Sequence, residues 1–511
     1  MNNIKKLLSL GMLLTACHIP LSYAADKKID EHKKGTPNTE VPKASVSVTK
    51  HTMKIDGHKI KYTATAGTML MKNAKGEPIA LFGYTAYVAD NDNARTRPIM
   101  FAYNGGPGSA SLWLHMGILG PQRAVVKDAD FSSNGPFKRV NNDYSILDKA
   151  DLVMIDPVGT GYSRPVGKGK LTDFIGTDQD INSVANFIQQ YITENNRWQS
   201  PKYILGESYG GMRTAGLAHN LVSKHMIGIN GIILVSPFMQ YITGFDFGGA
   251  DLPHVLFLPT FATTAWYHHA LNYKPKDLQT LIANVKKFAI EEYRPALFKG
   301  NNLSDDEKMA MAKKLSHFTG LTADYWYKAN LRVGHQAFTK ALLEDKGETV
   351  GRIDSRFKGY SLASHTKTMH YDPMTMAVSP PILAAFEDYY RTDLQSKQDV
   401  DYKVFGNVWG KWDWSHVMPG GGKSPYPDTV ADLSYAMKEN PNLKVMVLEG
   451  YFDLATPFFT TDYMMDHLDI PAALQKNISQ HYFNAGHMMY INPESQPTFK
   501  KDLANFIETS H

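Results

Sequence analysis

The chain has 511 residues, enough for one large single-core enzyme or for two to three domains. Hydrophobic residues at 43% and charged residues at 20% exclude a largely disordered or collagen-like chain. A formal charge of +4 gives no electrostatic reason to expect nucleic acid, and a single cysteine, Cys17, excludes a disulfide framework or a thiol-built zinc or iron–sulfur site.

The N-terminus reads as an address. Lys5 and Lys6 precede a short apolar run, 7–14, and Ser22-Tyr23-Ala24 follows Pro20 as a small-residue cleavage site. These residues predict a signal peptide over 1–24 and an exported, periplasmic or secreted protein. Leu14-Thr15-Ala16-Cys17 offers the alternative, a bacterial lipoprotein anchored through Cys17. Residues 25–50 have the Lys, Pro and Thr content of a flexible leader. No apolar run reaches the ~18 residues of a spanning helix.

Strands are expected at 59–66, 80–88, 99–103 and 152–155. A helix follows, with Thr177 and Asp180 spaced as a capping box and Ile181, Val184 and Ile188 at helical spacing. Strand 203–205, a helix through 215–222 and strand 232–235 continue the alternation, which predicts a mostly parallel sheet covered on both faces. Residues 245–430 read as a mainly helical insertion, with helices at 278–288, 304–316 and 381–391. Strands return at 445–448 and 478–483, before a final helix with Phe499, Leu503 and Phe506 on one face. The expected layout is an α/β core over 51–244 and 431–511, interrupted by a cap over 245–430.

Gly206-Glu207-Ser208-Tyr209-Gly210 fits G-x-S-x-G between a predicted strand and a predicted helix, the setting in which a serine becomes a nucleophile. Such a serine needs a base, and the base an orienting acid, in the chain order Ser, Asp or Glu, His. Asp453 and His487 both follow predicted strand ends in that order; Glu449 is the weaker rival acid. One oxyanion donor is expected from the Tyr209 amide and a second from the glycine-rich loop Asn104-Gly105-Gly106-Pro107-Gly108.

Together these segments resemble the serine carboxypeptidase family of α/β-hydrolases. Asn104 to Ser111 resembles its N-G-G-P-G-C-S-S, Gly206 to Gly211 fits its G-E-S-Y-[AG]-G, and Asp156 to Ser163 resembles its D-x-P-x-G-x-G-[FY]-S with one residue fewer between Asp and Pro. Gly450 to Asp453 and Ala485 to His487 match its acid and histidine motifs. The resemblance implies an α/β-hydrolase fold and release of C-terminal amino acids from peptides, with no cofactor or metal. It implies oxyanion donors at Gly106 and Tyr209, and a terminal-carboxylate reader at Asn104 and Glu207. A Glu must be protonated to bond a carboxylate, so acidic pH is expected to favour such a site.

Three positions depart from the family pattern. Ile118 stands where a second Glu often pairs with the first, and Arg123 and Arg213 are the cations weighed as substitutes. Ser109 and Thr456 stand where the family has a disulfide, and Met488-Met489-Tyr490 follows His487 in place of M-V-P. An esterase or acyltransferase with the same triad is therefore the alternative, and a non-catalytic hydrolase-fold binding protein the third reading. Gly420 to Ser424 lacks the first glycine of a phosphate loop, His268-His269 cannot share a metal from one helix face, and Asp90 to Asn93 reads as a turn. Trp409, Trp412 and Trp414 are expected to pack rather than to line a pocket.

Overall fold

The structure, a computed structural model, describes residues 41–510 except 91, 92, 133, 246, 247, 364 and 367. The expected signal peptide, Cys17, most of the leader and half of the Asp90-to-Asn93 turn lie outside the described residues.

Three long strands, β1 (Val46–Ile55), β2 (His58–Lys72) and β3 (Pro78–Ala89), form an antiparallel meander. Then come β4 (Ile99–Tyr103), β5 (Asp151–Ile155), β6 (Lys202–Glu207), β7 (Gly231–Val235), β8 (Lys444–Gly450) and β9 (Ile478–Phe483). The sheet order is β1-β2-β3-β5-β4-β6-β7-β8-β9, and all pairs from β5 onward are parallel. A two-residue strand, Arg164–Pro165, adds to β3. β1 starts inside the stretch expected as flexible leader, because residues 46–50 pair in register with residues 63–67 of β2.

The parallel strands are buried on both faces, which explains their near-continuous apolar runs. Successive side chains alternate between two cores. Met100, Leu152, Leu205, Ile233 and Met446 face one, and Phe101, Val153, Ile204, Ile232 and Val445 face the other. Helices α1 (Thr177–Glu194), α2 (Tyr209–Ser223), α6 (Val430–Glu439) and α7 (Gln496–Thr509) cover the sheet, with the cap helices numbered between them below. The α1 N-cap is Gly176 rather than a capping box at Thr177. Asp180 turns instead to Arg213 on α2, at 2.7 Å.

The stretch expected as one cap divides in two. Helices α3 (Leu252–Tyr267) and α4 (Asp305–Thr319) belong to a separate third core around Phe261, Trp326 and Phe338. Helix α5 (Pro373–Thr392) instead packs Met374, Ile382, Phe386 and Tyr390 into the first sheet core. It starts well before 381, because Asp372 caps it through the Thr375 amide at 2.8 Å and Pro373 suits its first turn. Pro380 and Pro381 lie inside it, so they do not mark its start. Gly420, Gly421 and Gly422 all adopt positive φ and close a short hairpin between His416–Val417 and Lys423–Ser424.

Buried charge ties the strand ends together below the site. Asp151, at the start of β5, takes Arg97 Nε at 2.9 Å, Arg197 Nη1 at 2.6 Å and the Ala89 amide at 3.0 Å. Asp151→Ala would leave two arginines without their shared partner. The expected loss is about 3–5 kcal/mol of unfolding free energy, read by chemical denaturation, with Asp151→Asn losing less because it keeps the amide bond.

Candidate active site

The nucleophile position is built by strain and glycine. β6 runs directly into Ser208, which has φ 62 and ψ −126, and α2 begins at Tyr209. An L-residue adopts that conformation only when its surroundings dictate it. A Cβ on Gly206 would stand 2.2 Å from the Gly210 carbonyl, and one on Gly105 would stand 2.5 Å from the Tyr209 amide nitrogen. The loop after β4 therefore lies against the elbow, backbone to backbone. Gly106 has φ +106, which suits glycine. Among the described residues, no backbone hydrogen bond outside the helices and strands uses the Gly106 or Tyr209 amide.

Asp453 and His487 converge from the loops after β8 and β9. Asp453 Oδ2 lies 2.7 Å from His487 Nδ1, and both side chains are buried. Asp453 Oδ1 accepts the Ala455 and Thr456 amides at 2.7 and 2.9 Å, which holds the side chain in place. Burial pulls the His487 pKa down, but the adjacent Asp453 carboxylate outweighs it, and the net shift is upward. Among the described residues the ring's hydrogen bonds are all at Nδ1, and Nε2 stands 3.9 Å from Glu207 Oε1. No hydrogen bond joins Ser208 to His487 among the described residues; such contacts often tighten only with substrate in place. The rival Glu449 is fully buried with no hydrogen-bond partner for either oxygen, and burial holds its carboxyl well above the usual range. No hydrogen bond or ion pair joins it to His487 among the described residues.

Glu207 is buried beside Ser208. Asn104 Nδ2 and the Tyr490 hydroxyl both donate to its Oε2, each at 2.6 Å. Burial pushes its pKa up to about 7, against the opposing pull of His487, Tyr490 and Asn104. Ile118 sits fully buried in a π-helical turn, His115–Leu119, within the apolar core, and supplies no polar group. Neither proposed substitute cation faces the site. Arg213 pairs with Asp180 and donates Nη1 to the Asn104 carbonyl at 2.9 Å, bracing the loop from behind. Arg123 lies over the Tyr144 ring.

The two departures from the disulfide pattern are in use. Ser109 accepts the Trp113 indole N–H at 2.9 Å. Thr456 Oγ1 stands 2.7 Å from Asp453 Oδ2, 3.0 Å from His487 Nδ1 and 2.9 Å from the Ser236 carbonyl. Trp412 and Trp414 meet the Tyr209 ring edge-on at 5.4 and 6.0 Å, and Trp412 is buried, as packing predicts.

Sequence reading missed one element, the segment 351–357. The Leu454 amide donates to the Arg352 carbonyl at 3.1 Å and the His487 amide to the Ile353 carbonyl at 2.8 Å. The Gly486 amide donates to Asp354 Oδ2 at 3.0 Å, and the Ser355 amide to the Phe452 carbonyl at 2.9 Å. The loops that carry Asp453 and His487 thus both hydrogen-bond to one segment, 352–355. No local motif marks it, because its partners lie about a hundred residues away.

A strand–turn–helix at a serine, in a mostly parallel sheet of this order, defines an α/β-hydrolase. Residues 66–493 match the family model for serine carboxypeptidase, and the chain belongs to that family. It is 28% identical over 172 residues to serine carboxypeptidase-like 10 of Arabidopsis thaliana, covering 32% of this chain and 37% of that protein. It is 29% identical over 176 residues to vitellogenic carboxypeptidase of Aedes aegypti, covering 32% and 33%. The chain thus spans little more than a third of these relatives' length. Among solved structures, a prohormone-processing carboxypeptidase from Saccharomyces cerevisiae shares the fold, with a TM-score of 0.54 at 14% identity over 88% of this chain and 91% of that one.

Thr456→Val removes the hydroxyl that touches Asp453 and His487 while keeping side-chain volume. The expected result is a loss of about tenfold in kcat, the scale of one hydrogen bond, with KM less affected, read by steady-state kinetics on an ester substrate.

Proposed function

We propose that the chain is a serine-type carboxypeptidase that releases single C-terminal amino acids from peptides. The observation that carries this reading is Glu207: a fully buried acid next to the nucleophile, pushed up to about 7, with one oxygen held by Asn104 and Tyr490. A neutral carboxyl group there is a hydrogen-bond donor for a substrate carboxylate, which an ionised one would repel.

In this mechanism Ser208 Oγ attacks the last peptide carbonyl and passes its proton to His487 Nε2. The Gly106 and Tyr209 amides hold the oxyanion. His487 returns the proton to the leaving nitrogen as the C–N bond breaks, so the C-terminal amino acid departs and an acyl-Ser208 ester remains. Water, deprotonated by His487, then hydrolyses the ester and restores the serine. Asp453 keeps the ring oriented and stabilises its charged form throughout. Asn104 and Glu207 read the terminal carboxylate.

Residues 1–24 support an exported bacterial protein, soluble after cleavage or anchored through Cys17. We further propose an α/β core interrupted by a helical cap within 245–430. An esterase or acyltransferase remains the second reading, favoured by the apolar Ile118 where a second acid is common in the family.

The test compares a blocked dipeptide as free acid, amide and ester from pH 4.5 to 8, with wild type and Ser208→Ala. The free acid should be preferred over the amide, and Ser208→Ala should lower kcat by roughly 10⁶-fold. Activity on the free acid should fall at low pH as His487 protonates and at high pH as Glu207 ionises near 7. The ester should lack the alkaline fall. Turnover of the ester alone would favour the second reading.

A further inference from the structure

Glu207 presents two unequal oxygens. Oε2 accepts both the Asn104 amide and the Tyr490 phenol, each at 2.6 Å. Oε1 accepts neither and stands 3.9 Å from His487 Nε2. A carboxyl oxygen has two acceptor directions, and two short bonds occupy both on Oε2. The proton of a neutral Glu207 therefore sits on Oε1, on the side of His487.

Tyr490 is held in place independently of Glu207. Its side chain is fully buried in the turn Met489–Ile491, three residues past His487. A Cβ on Gly117 would stand 2.6 and 2.7 Å from its ring carbons, so only glycine there leaves room for the ring. Gln496 Nε2 donates to the Tyr490 carbonyl at 3.0 Å, and the ring meets Phe499 edge-on at 6.1 Å. The phenol thus approaches Glu207 from a rigid wall, as a donor that stays neutral because burial holds its pKa far above the usual value.

We propose that Tyr490 is a positioning residue for recognition of the free α-carboxylate of a peptide: by holding Glu207 Oε2 it turns the Oε1–H toward the incoming C-terminus. This rests on the carboxypeptidase reading. Tyr490 supplies from the His487 loop the polar contact that Ile118 does not.

The groups facing Glu207 are Asn104 after β4, His487 and Tyr490 after β9, and Asp453 after β8. Arg213 and its partner Asp180 stand behind Asn104. Donation from Tyr490 favours the ionised form of Glu207, so its removal moves Glu207 ionisation to higher pH.

The test measures kcat and KM from pH 5 to 9 for a blocked dipeptide free acid and its ester, with wild type, Tyr490→Phe, Glu207→Gln and the double variant. For Tyr490→Phe, the ratio of free-acid to ester kcat/KM should fall about tenfold at the optimum, mostly through KM. The alkaline limb on the free acid should move up by about one pH unit. In the Glu207→Gln background, which has no carboxyl to ionise, Tyr490→Phe should not move the limb. Equal losses on acid and ester, or an unmoved limb in the wild-type background, would reduce Tyr490 to a packing residue and overturn the inference. The same limb shift in the Glu207→Gln background would also overturn it. A wild-type enzyme that does not distinguish free acid from amide would overturn the carboxypeptidase reading itself, and the inference with it.

Discussion

The site depends on the backbone of Ser208. A residue at φ 62 and ψ −126 costs about 1–3 kcal/mol, and the surrounding packing has to hold it there. Three contacts do so. The Ser208 amide donates to the Val235 carbonyl at 3.0 Å, and its carbonyl accepts the Gly211 and Phe238 amides at 2.8 and 2.9 Å. The strand before it and the helix after it are buried along their lengths, so the turn cannot relax without opening both cores. The close approach of Gly105 then brings a second amide of the 104–108 loop to the same place.

The remaining chemistry is brought to this point by the two loops after β8 and β9, and both are anchored on the insertion. Asp354 joins its segment to the loop after β9: it pairs with Arg356 at 2.6 Å, accepts the Gly486 amide, and stands so close to Gly486 that a Cβ there would collide. Asp372 fixes the approach by accepting the Arg352 and Ile353 amides at 2.6 and 3.1 Å and by capping α5. Residues 352–355 are thus part of the frame that holds Asp453 and His487. A carboxyl group kept near neutral, an imidazole pulled toward its charged form and a carboxylate fixed by amides lie within a few ångströms of one another, which is how one small volume holds an acid and a base together.

What the sequence made legible was local. The G-x-S-x-G turn, the N-G-G-P-G loop and the buried parallel strands each rest on neighbours within a few residues, and the structure has them where spacing indicates. Asp453 and His487 were legible from chain order, because each follows a strand directly. Long-range choices were not. Asp180 suits a capping box by spacing, but the buried Arg213 guanidinium competes for it and wins. Two adjacent prolines hid the first turns of α5. The hold of 351–357 on both catalytic loops, and of Tyr490 on Glu207, depends on pairs that no periodicity encodes.

We propose that this site reads a chain end. The most direct measurement is mass spectrometry of one unblocked peptide over time, offered with a free C-terminus and as its C-terminal amide. A ladder of single-residue losses is expected from the free C-terminus, and a markedly slower ladder from the amide. Internal cleavage, or equal trimming of both peptides, would contradict it.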